Sequence, residues 1–524
     1  MVDRPTYEES LVRTYRAMSA GAHVFIVLAA AWVLVIWPIL LLPSVHSQDY
    51  INHLSRAFIL LNPDDRLLQV NYRIEWTLTP NLAFDLVSVA LGQFLPVEVV
   101  GRAFLVITSL LLFTGCAALH RSLNGTVSIF PILATPFLFN AANEQGFMAY
   151  LFGVGIALWA MAFWVLTPER RWQLRLLIAT IFATVLYIAH FAAFGVYGLF
   201  VLGRKLDEAI NENGWRTPTF YCRFARDASQ AIPAFAMLLF AGHFSSHPVD
   251  SHGLLVMTRS LLDKADDIRK ALDLGPDFIS GIYLSVAVSI IAYCIVKQWV
   301  RLDRRVLWPL LLFLVTFLAL PNRIGDGGSI DWRLIVPLSF VALAALVPAR
   351  NIEDSGRRWL ICLVAGLLVI LSSTQAIIWK HYDDRLGEAQ AVIDSIPEGS
   401  RVFWAHTTEA WEAEQPWGNG LYHLGSYATV RRRALVQTTF AYPDQQPVRF
   451  RDAKIQNCPC KSFTMLSDIN DLMSEAGVSM PDAMLSYDYV FLHGRDLLAE
   501  RVFGLDRLHV TAHRGDFWLF ALEK

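Results

Sequence analysis

The most informative segment reads His46-Ser-Gln-Asp49-Tyr-Ile-Asn-His53-Leu-Ser-Arg56 and follows directly on a long apolar run. An acid with His53 one helical turn later and Arg56 on the next puts three polar groups on one face of a short helix. A hydroxyl is a poor nucleophile at neutral pH, and a carboxylate within hydrogen-bond reach takes its proton as a new bond to oxygen forms. That role is worth a factor of about 10² to 10⁴ and makes Asp49 a candidate general base. Asp49 reads equally as a solvated loop acid or a helix cap, and His53 as a structural hydrogen-bonding residue that is placed to orient Asp49 or a phosphate. A departing phosphate develops negative charge that a guanidinium stabilises with paired hydrogen bonds. Arg56, Arg73, Arg323 and Arg333 are the candidates for it. The last two are favoured, from Asn322-Arg323-Ile-Gly-Asp326-Gly-Gly-Ser-Ile-Asp331-Trp-Arg333; the alternative is that they anchor helix ends at the interface and pair with Asp326 or Asp331.

Other clusters carry less. His243, His247, Asp250 and His252 form a set that zinc could use, but Pro248 breaks any helix that would align the first two histidines, so a solvated loop is the preferred reading. His190 is either a polar residue at the interface or part of a substrate cavity. Tyr422-His423, Arg431 to Arg433 and Trp404, Trp411 and Trp417 read as the core and rim of a small domain, with no catalysis assigned. Cys458 and Cys460 are separated by one residue, too close for an unstrained bridge, and no disulfide is expected. There is no Gly-rich phosphate loop, no Gly-x-Ser-x-Gly elbow and no His-Glu-x-x-His.

The elements that must hold these residues are set by composition. The chain has 524 residues, 55% hydrophobic and 17% charged, with mean hydropathy +0.40. A bilayer is the solvent that fits. A net charge of -2 leaves no basic excess for nucleic acid. The run from about Val24 to Leu42 is long enough for an uncleaved first span with a cytoplasmic N-terminus. Further apolar runs begin near Val97, Val127, Phe147, Leu174, Phe191, Ala231, Gly281, Val306, Leu334 and Leu360, giving about eleven spans. The run Leu174 to Gly203 reads as one tilted helix or two. Two keeps every alternate connection basic (Arg121; Arg170, Arg171 and Arg175; Arg204 to Arg226; Lys297 to Arg305; Arg350 to Arg358), as the positive-inside rule requires. The predicted fold is thus an all-α polytopic membrane domain over 1–380, with a long first outside loop 44–96 and surface helices at Ile51–Leu61 and Leu82–Leu95. An extracytoplasmic α/β domain follows over 381–524, with strands at Arg401–Ala405, Ala434–Phe440, Tyr489–His493 and Asp516–Leu522.

An acid soon after span one, opening a long outside loop with surface helices, resembles the GT-C membrane glycosyltransferases, the group that includes protein O-mannosyltransferases and aminoarabinose transferases. The resemblance covers most of the chain through its architecture, while its motif is short. It implies a polyprenyl phosphate or diphosphate sugar as donor substrate, a glycan, lipid or protein acceptor, membrane lipid as a further partner and a bacterial cytoplasmic membrane as location. It carries the general-base role to Asp49 and a second acidic position to Glu144, in Asn143-Glu144-Gln145-Gly146. Tyr50 stands where many members have a second acid, which leaves the metal unassigned and no cofactor implied beyond the donor. Outside the resemblance, the competing readings are a multi-span transporter or lipid flippase and a non-catalytic envelope assembly protein.

Overall fold

Apolar segments in a bilayer must satisfy their backbone amides and carbonyls internally, and helices do so. The computed structural model describes residues 7–211, 213–240, 256–272, 277–324, 328–349, 352–442, 445–495 and 508–523. Among them, six helices are long and apolar enough to cross a membrane: Gly21–Leu41, Val97–Asn124, Met148–Leu166, Glu169–Ala189, Ile279–Val296 and Asp354–Ile393. This is a multi-pass membrane protein. The runs expected near Ala231, Val306 and Leu334 form the shorter helices Ile232–Phe240, Leu307–Ala319 and Ile335–Ala344, so helix length alone does not carry the expected count of about eleven spans. The Leu174 to Gly203 run is two helices, Trp172–Ala189 and Phe191–Asn211. They part at His190, whose backbone is extended at φ -170° and ψ 127°.

The run near Val127 departs from a helical span. Residues Phe130–Phe137 form 3₁₀ turns, with Pro131 and Pro136 each withdrawing an amide donor. This segment nonetheless carries the chain from one end of the bundle to the other. At one end Arg305 donates to the Leu123 carbonyl, and at the other the Gln48 amide donates to the Glu144 carbonyl at 2.7 Å. Every residue of Phe130–Phe137 is buried in protein, the condition under which irregular backbone is tolerated at membrane depth. The basic connections meet at the end away from Asp49. Arg204 donates to the Arg305 carbonyl at 2.7 Å, and Lys205 and Arg175 hold Asp227 at 2.7 and 3.1 Å.

The last helix, Asp354–Ile393, runs 40 residues without interruption through the expected boundary at 380/381. It delivers the chain to a five-stranded sheet ordered Leu508–Arg514, Phe517–Leu522, Tyr489–His493, Arg401–His406, Leu435–Val436. The last three strands are parallel and the first two antiparallel. The α/β reading of this region therefore stands, although Leu508–Arg514 was not anticipated and the 434–440 run contributes only two residues of strand. Cys458 and Cys460 are bridged, against expectation. The 3₁₀ turn Pro459–Ser462 bends the chain between them, and their Cα atoms stand 5.1 Å apart, within the distance a disulfide spans.

The first helix of the first loop does not lie at the surface. This helix, Tyr50–Leu61, has ten of its residues buried, so the expectation of an amphipathic helix lying on the membrane is corrected. The polar face is covered by the C-terminal domain, which supplies partners that water would otherwise supply. Asn52 Nδ2 donates to the Thr438 carbonyl at 2.6 Å, and Ser55 Oγ donates to the Ser426 carbonyl at 2.6 Å. Further along the loop, the strand Tyr72–Ile74 pairs antiparallel with Val448–Phe450. Arg433 Nε reaches Asp65 at 2.7 Å.

The segment that carries Arg333 is fixed by a buried ion pair. Lys264 Nζ lies 2.8 Å from Asp331 Oδ2, with side chains 4% and 0% exposed, and it also donates to the carbonyls of Phe317 and Leu320 at 2.7 and 2.8 Å. Asp331 accepts in addition from Asn322 and from the Trp332 amide. Removing one partner of such a pair leaves an uncompensated buried charge at a cost of about 3–5 kcal/mol. Lys264→Met is therefore expected to lower the thermal unfolding midpoint of the detergent-solubilised protein sharply, and Lys264→Met with Asp331→Leu to recover most of the loss.

Candidate functional site

Asp49 sits at the end of the bundle where the first loop, the Asn140–Gly146 turn and the C-terminal domain meet. It precedes the helix Tyr50–Leu61, yet its side chain makes no cap hydrogen bond to that helix. This disposes of the capping reading, and Asp65, which accepts from the amides of Leu67 and Leu68, shows what a cap in this loop looks like. The Asp49 carboxylate instead faces His423, with Oδ1 3.4 Å from Nε2, and interacts electrostatically with Arg333. Gly146 is the reason it can lie there. At φ +84° a Cβ on Gly146 would stand 2.6 Å from the Asp49 Cβ and 2.8 Å from its backbone nitrogen, so only glycine fits the turn in both conformation and space.

His53 and Arg56 hold this turn. Arg56 is fully buried and bidentate on Asp85, with Nε to Oδ1 at 2.6 Å and Nη2 to Oδ2 at 3.1 Å. Burial raises the Asp85 carboxyl above its ordinary value, and Arg56 pulls it back. Arg56 Nη2 also contacts His53 Nδ1 at 3.2 Å. A guanidinium can only donate, so Nδ1 accepts and the ring proton is on Nε2, which donates to the Gly146 carbonyl at 3.2 Å. Burial, and then the charge of Arg56, hold His53 neutral, far below its ordinary pKa. Both residues thus orient the turn and belong to its support. Sequence gave no pointer to Asp85 as the partner of Arg56.

Glu144 is joined to the first loop through backbone and side chain: Gln48 N–H donates to its carbonyl, and Ser47 Oγ to that of Asn143 at 2.8 Å. Its carboxylate turns towards Gly418, where a Cβ would stand 2.5 Å from Oε1 and 2.8 Å from His46 Cε1. A cavity opens here between helices, bordered by His46, Ser47, Asn143, Glu144, Gln375 and Trp379. His46 Nε2 accepts from the Gly420 amide at 3.2 Å, and burial with the nearby His381 pushes its pKa down to about 4.

Arg333 and His190 meet beside Phe147 and Tyr150. Asp331 is engaged by Lys264, so the alternative pairing of Arg333 with Asp331 does not form, and Asp326 lies outside the described residues. Among the described residues Arg333 makes no ion pair within 4 Å. Its guanidinium stacks on Phe147 at 4.4 Å, donates to the Gly328 carbonyl at 3.3 Å and lies 3.4 Å from His190 Nε2 through Nη1, while Nε is buried with no partner among the described residues. The Ala192 amide donates to His190 Nδ1 at 3.1 Å, which leaves the neutral ring its proton on Nε2. Two donors therefore face each other across 3.4 Å, an arrangement completed by an anionic oxygen that bridges them from the side and accepts from both.

The remaining candidates stand apart. Arg73 is half-exposed, paired with Glu75 at 3.1 Å, on the strand bound to Val448–Phe450. Arg323 lies on a short strand paired with Val256–Met257. His243, His247 and His252 are outside the described residues, among which no group of three or more His, Cys, Asp or Glu is arranged to hold a metal ion.

No protein-family model matches the sequence, and no curated protein matches it. Its structure, however, is similar to the crystal structure of ArnT from Cupriavidus metallidurans bound to undecaprenyl phosphate, with a TM-score of 0.54 at 10% identity over 96% of this chain and 98% of that one. The likeness to GT-C membrane glycosyltransferases expected from the sequence is thus borne out at the level of fold.

Gly146→Ala is expected to cost about 1–3 kcal/mol through strain and overpacking, read as a lower unfolding midpoint. The buried neutral histidines add a pH dependence. A folded-state pKa below the ordinary 6.5 means that the unfolded chain binds protons first, so stability is full above about pH 6.5 and falls below it. With His46 at about 4 and His406 at about 3, both outside the spans, the midpoint should drop steadily from pH 6.5 to pH 4. His46 alone accounts for on the order of 3 kcal/mol of that loss, and a midpoint flat over this range would contradict the assignment.

Proposed function

We propose that this chain is a GT-C-type glycosyltransferase that moves a sugar from a polyprenyl-phosphate-linked donor to an acceptor hydroxyl at the face of the membrane bearing Asp49. The observation that carries the reading is the pair of facing donors, Arg333 and His190, beside a carboxylate that caps no helix. The fold shared with ArnT, a protein bound to undecaprenyl phosphate in its crystal structure, supports it. Basic connections gathered at the opposite end of the bundle favour an extracytoplasmic site by the positive-inside rule, in the cytoplasmic membrane of a bacterium.

In this reading Asp49 takes the proton from the acceptor hydroxyl as its oxygen bonds to the anomeric carbon. The bond from that carbon to the phosphate oxygen breaks, and the electron pair leaves with the carrier phosphate. Arg333 and the Nε2–H of His190 hold the charge that develops there. Glu144, bordering the neighbouring cavity with His46, contacts a substrate hydroxyl. His53 and Arg56 act through the Gly146 turn. The acceptor is a glycan, a lipid or a protein. A transporter would concentrate its ionisable groups at mid-membrane, whereas these gather at one end.

The test separates binding from chemistry. Arg333→Gln should weaken binding of undecaprenyl phosphate to the purified protein by about 10-fold or more, the loss of a charge-assisted hydrogen bond. Asp49→Asn should leave that binding intact and slow transfer from labelled polyprenyl-phosphate sugars by about 10² to 10⁴. Full transfer by the Asn variant would remove Asp49 from the chemistry, and unchanged binding by the Gln variant would remove Arg333.

A further inference from the structure

We infer that His423, carried to the site by the C-terminal domain, is the positioning residue that aims the Asp49 carboxylate, so that the active site is built from both ends of the chain. The inference rests on the reading of Asp49 as the base.

An aspartate at the start of a helix ordinarily spends its oxygens on the helix amides, and Asp49 does not. His423 Nε2 stands 3.4 Å from Oδ1, with the His423 side chain only 6% exposed. This is an ion-pair distance, of the kind that often tightens into a hydrogen bond when substrate binds. His423 Nδ1 is buried and, among the described residues, has no partner. Among the described residues the ring has no other polar partner, so its polar commitment is to Asp49.

The rest of the surroundings hold the ring in place. Phe440 meets it edge-on at 5.4 Å between centroids and Tyr422 at 4.7 Å, and Phe440 meets His53 at 5.3 Å on another side. The loop that brings His423 in is threaded past His46. A Cβ on Gly418 or Gly420 would collide with the His46 ring, and Gly420 donates its amide to that ring. The residue before His423 is anchored by its carbonyl, which accepts from Trp404 Nε1 at 2.9 Å and from His406 Nε2 at 3.3 Å. The proton on His406 Nε2 follows from its neighbours. Arg385 on the long helix donates to His493 Nε2 at 3.0 Å, which puts the His493 proton on Nδ1. That proton goes to His406 Nδ1 across 2.9 Å. The tautomers along this chain are mutually consistent and end at the Tyr422 carbonyl.

A single N–H bond to Oδ1 stops rotation of the carboxylate and leaves the lone pairs of Oδ2 to the acceptor. In the transfer step the hydroxyl proton goes to Oδ2, the oxygen bonds to the anomeric carbon and the phosphate leaves with its electron pair. His423 takes no part in the proton transfer.

The test uses the full chain in detergent or nanodiscs and two variants. His423→Leu removes the donor, while His423→Gln keeps an amide N–H at a similar reach. The Leu variant should lose about 10- to 100-fold in kcat, the range for a residue that orients a reacting group, with undecaprenyl phosphate binding and the KM for donor unchanged. The Gln variant should recover most of the kcat. The Asp49 carboxylate stretch in the infrared, identified by its disappearance in Asp49→Asn, should move in the Leu variant and return towards the wild-type position in the Gln variant. A Leu variant with normal kcat, or a Gln variant no better than Leu, overturns the inference, as does an infrared band that stays put. Asp49→Asn with full transfer would instead sink the general-base reading, while the infrared result still reports whether His423 bonds to Asp49.

Discussion

The bidentate pair of Arg56 with Asp85, both excluded from solvent, is the constraint on which the site's geometry depends. Two charges taken out of water are costly, and their attraction offsets that cost only in good geometry with the remaining hydrogen bonds made. Arg56 therefore has little freedom. Its second amino group fixes which nitrogen of His53 accepts, and the other nitrogen of His53 then has to donate to the Gly146 carbonyl. Gly146 in turn packs against the Cα and Cβ of Asp49. Position passes from a helix of the first loop, through a guanidinium, an imidazole and a turn, to the carboxylate.

Several features were readable from residues alone because their signal is local. Apolar length gave the long helices, and the alternation of basic connections called for two helices in the Leu174 to Gly203 run, which part at His190. Other features depend on contacts that no local pattern encodes. The helix after Asp49 has the periodicity of an amphipathic surface helix, and that periodicity is the same whether water or the carbonyls of Thr438 and Ser426 cover the polar face. The segment Phe130–Phe137 has the composition of a span, but two prolines and burial on all sides make it 3₁₀.

The candidate site divides along the same line. Asp49, Glu144, His190 and Arg333 lie at the ends of apolar runs, where polar residues stand out, and the fold brings them to one end of the bundle. Arg73 has the same residue type and lies in the same loop, but its strand turns away to pair with the C-terminal domain. His423 was visible only as one aromatic among many, since 374 residues separate it from Asp49 and nothing in either segment names the other. Lys264 was likewise unforeseen, although it frees Arg333 by occupying Asp331.

The helix Asp354–Ile393 has a further consequence. At 1.5 Å per residue it is a rod of roughly 60 Å, with no proline in it. Its membrane-buried part and Arg385, which anchors the sheet, therefore belong to one stiff shaft. Hydrophobic mismatch is commonly absorbed by tilting such a helix. In this molecule a tilt would also carry the sheet and the loop bearing His423, so the thickness of the surrounding bilayer acts on the alignment of the two halves of the site.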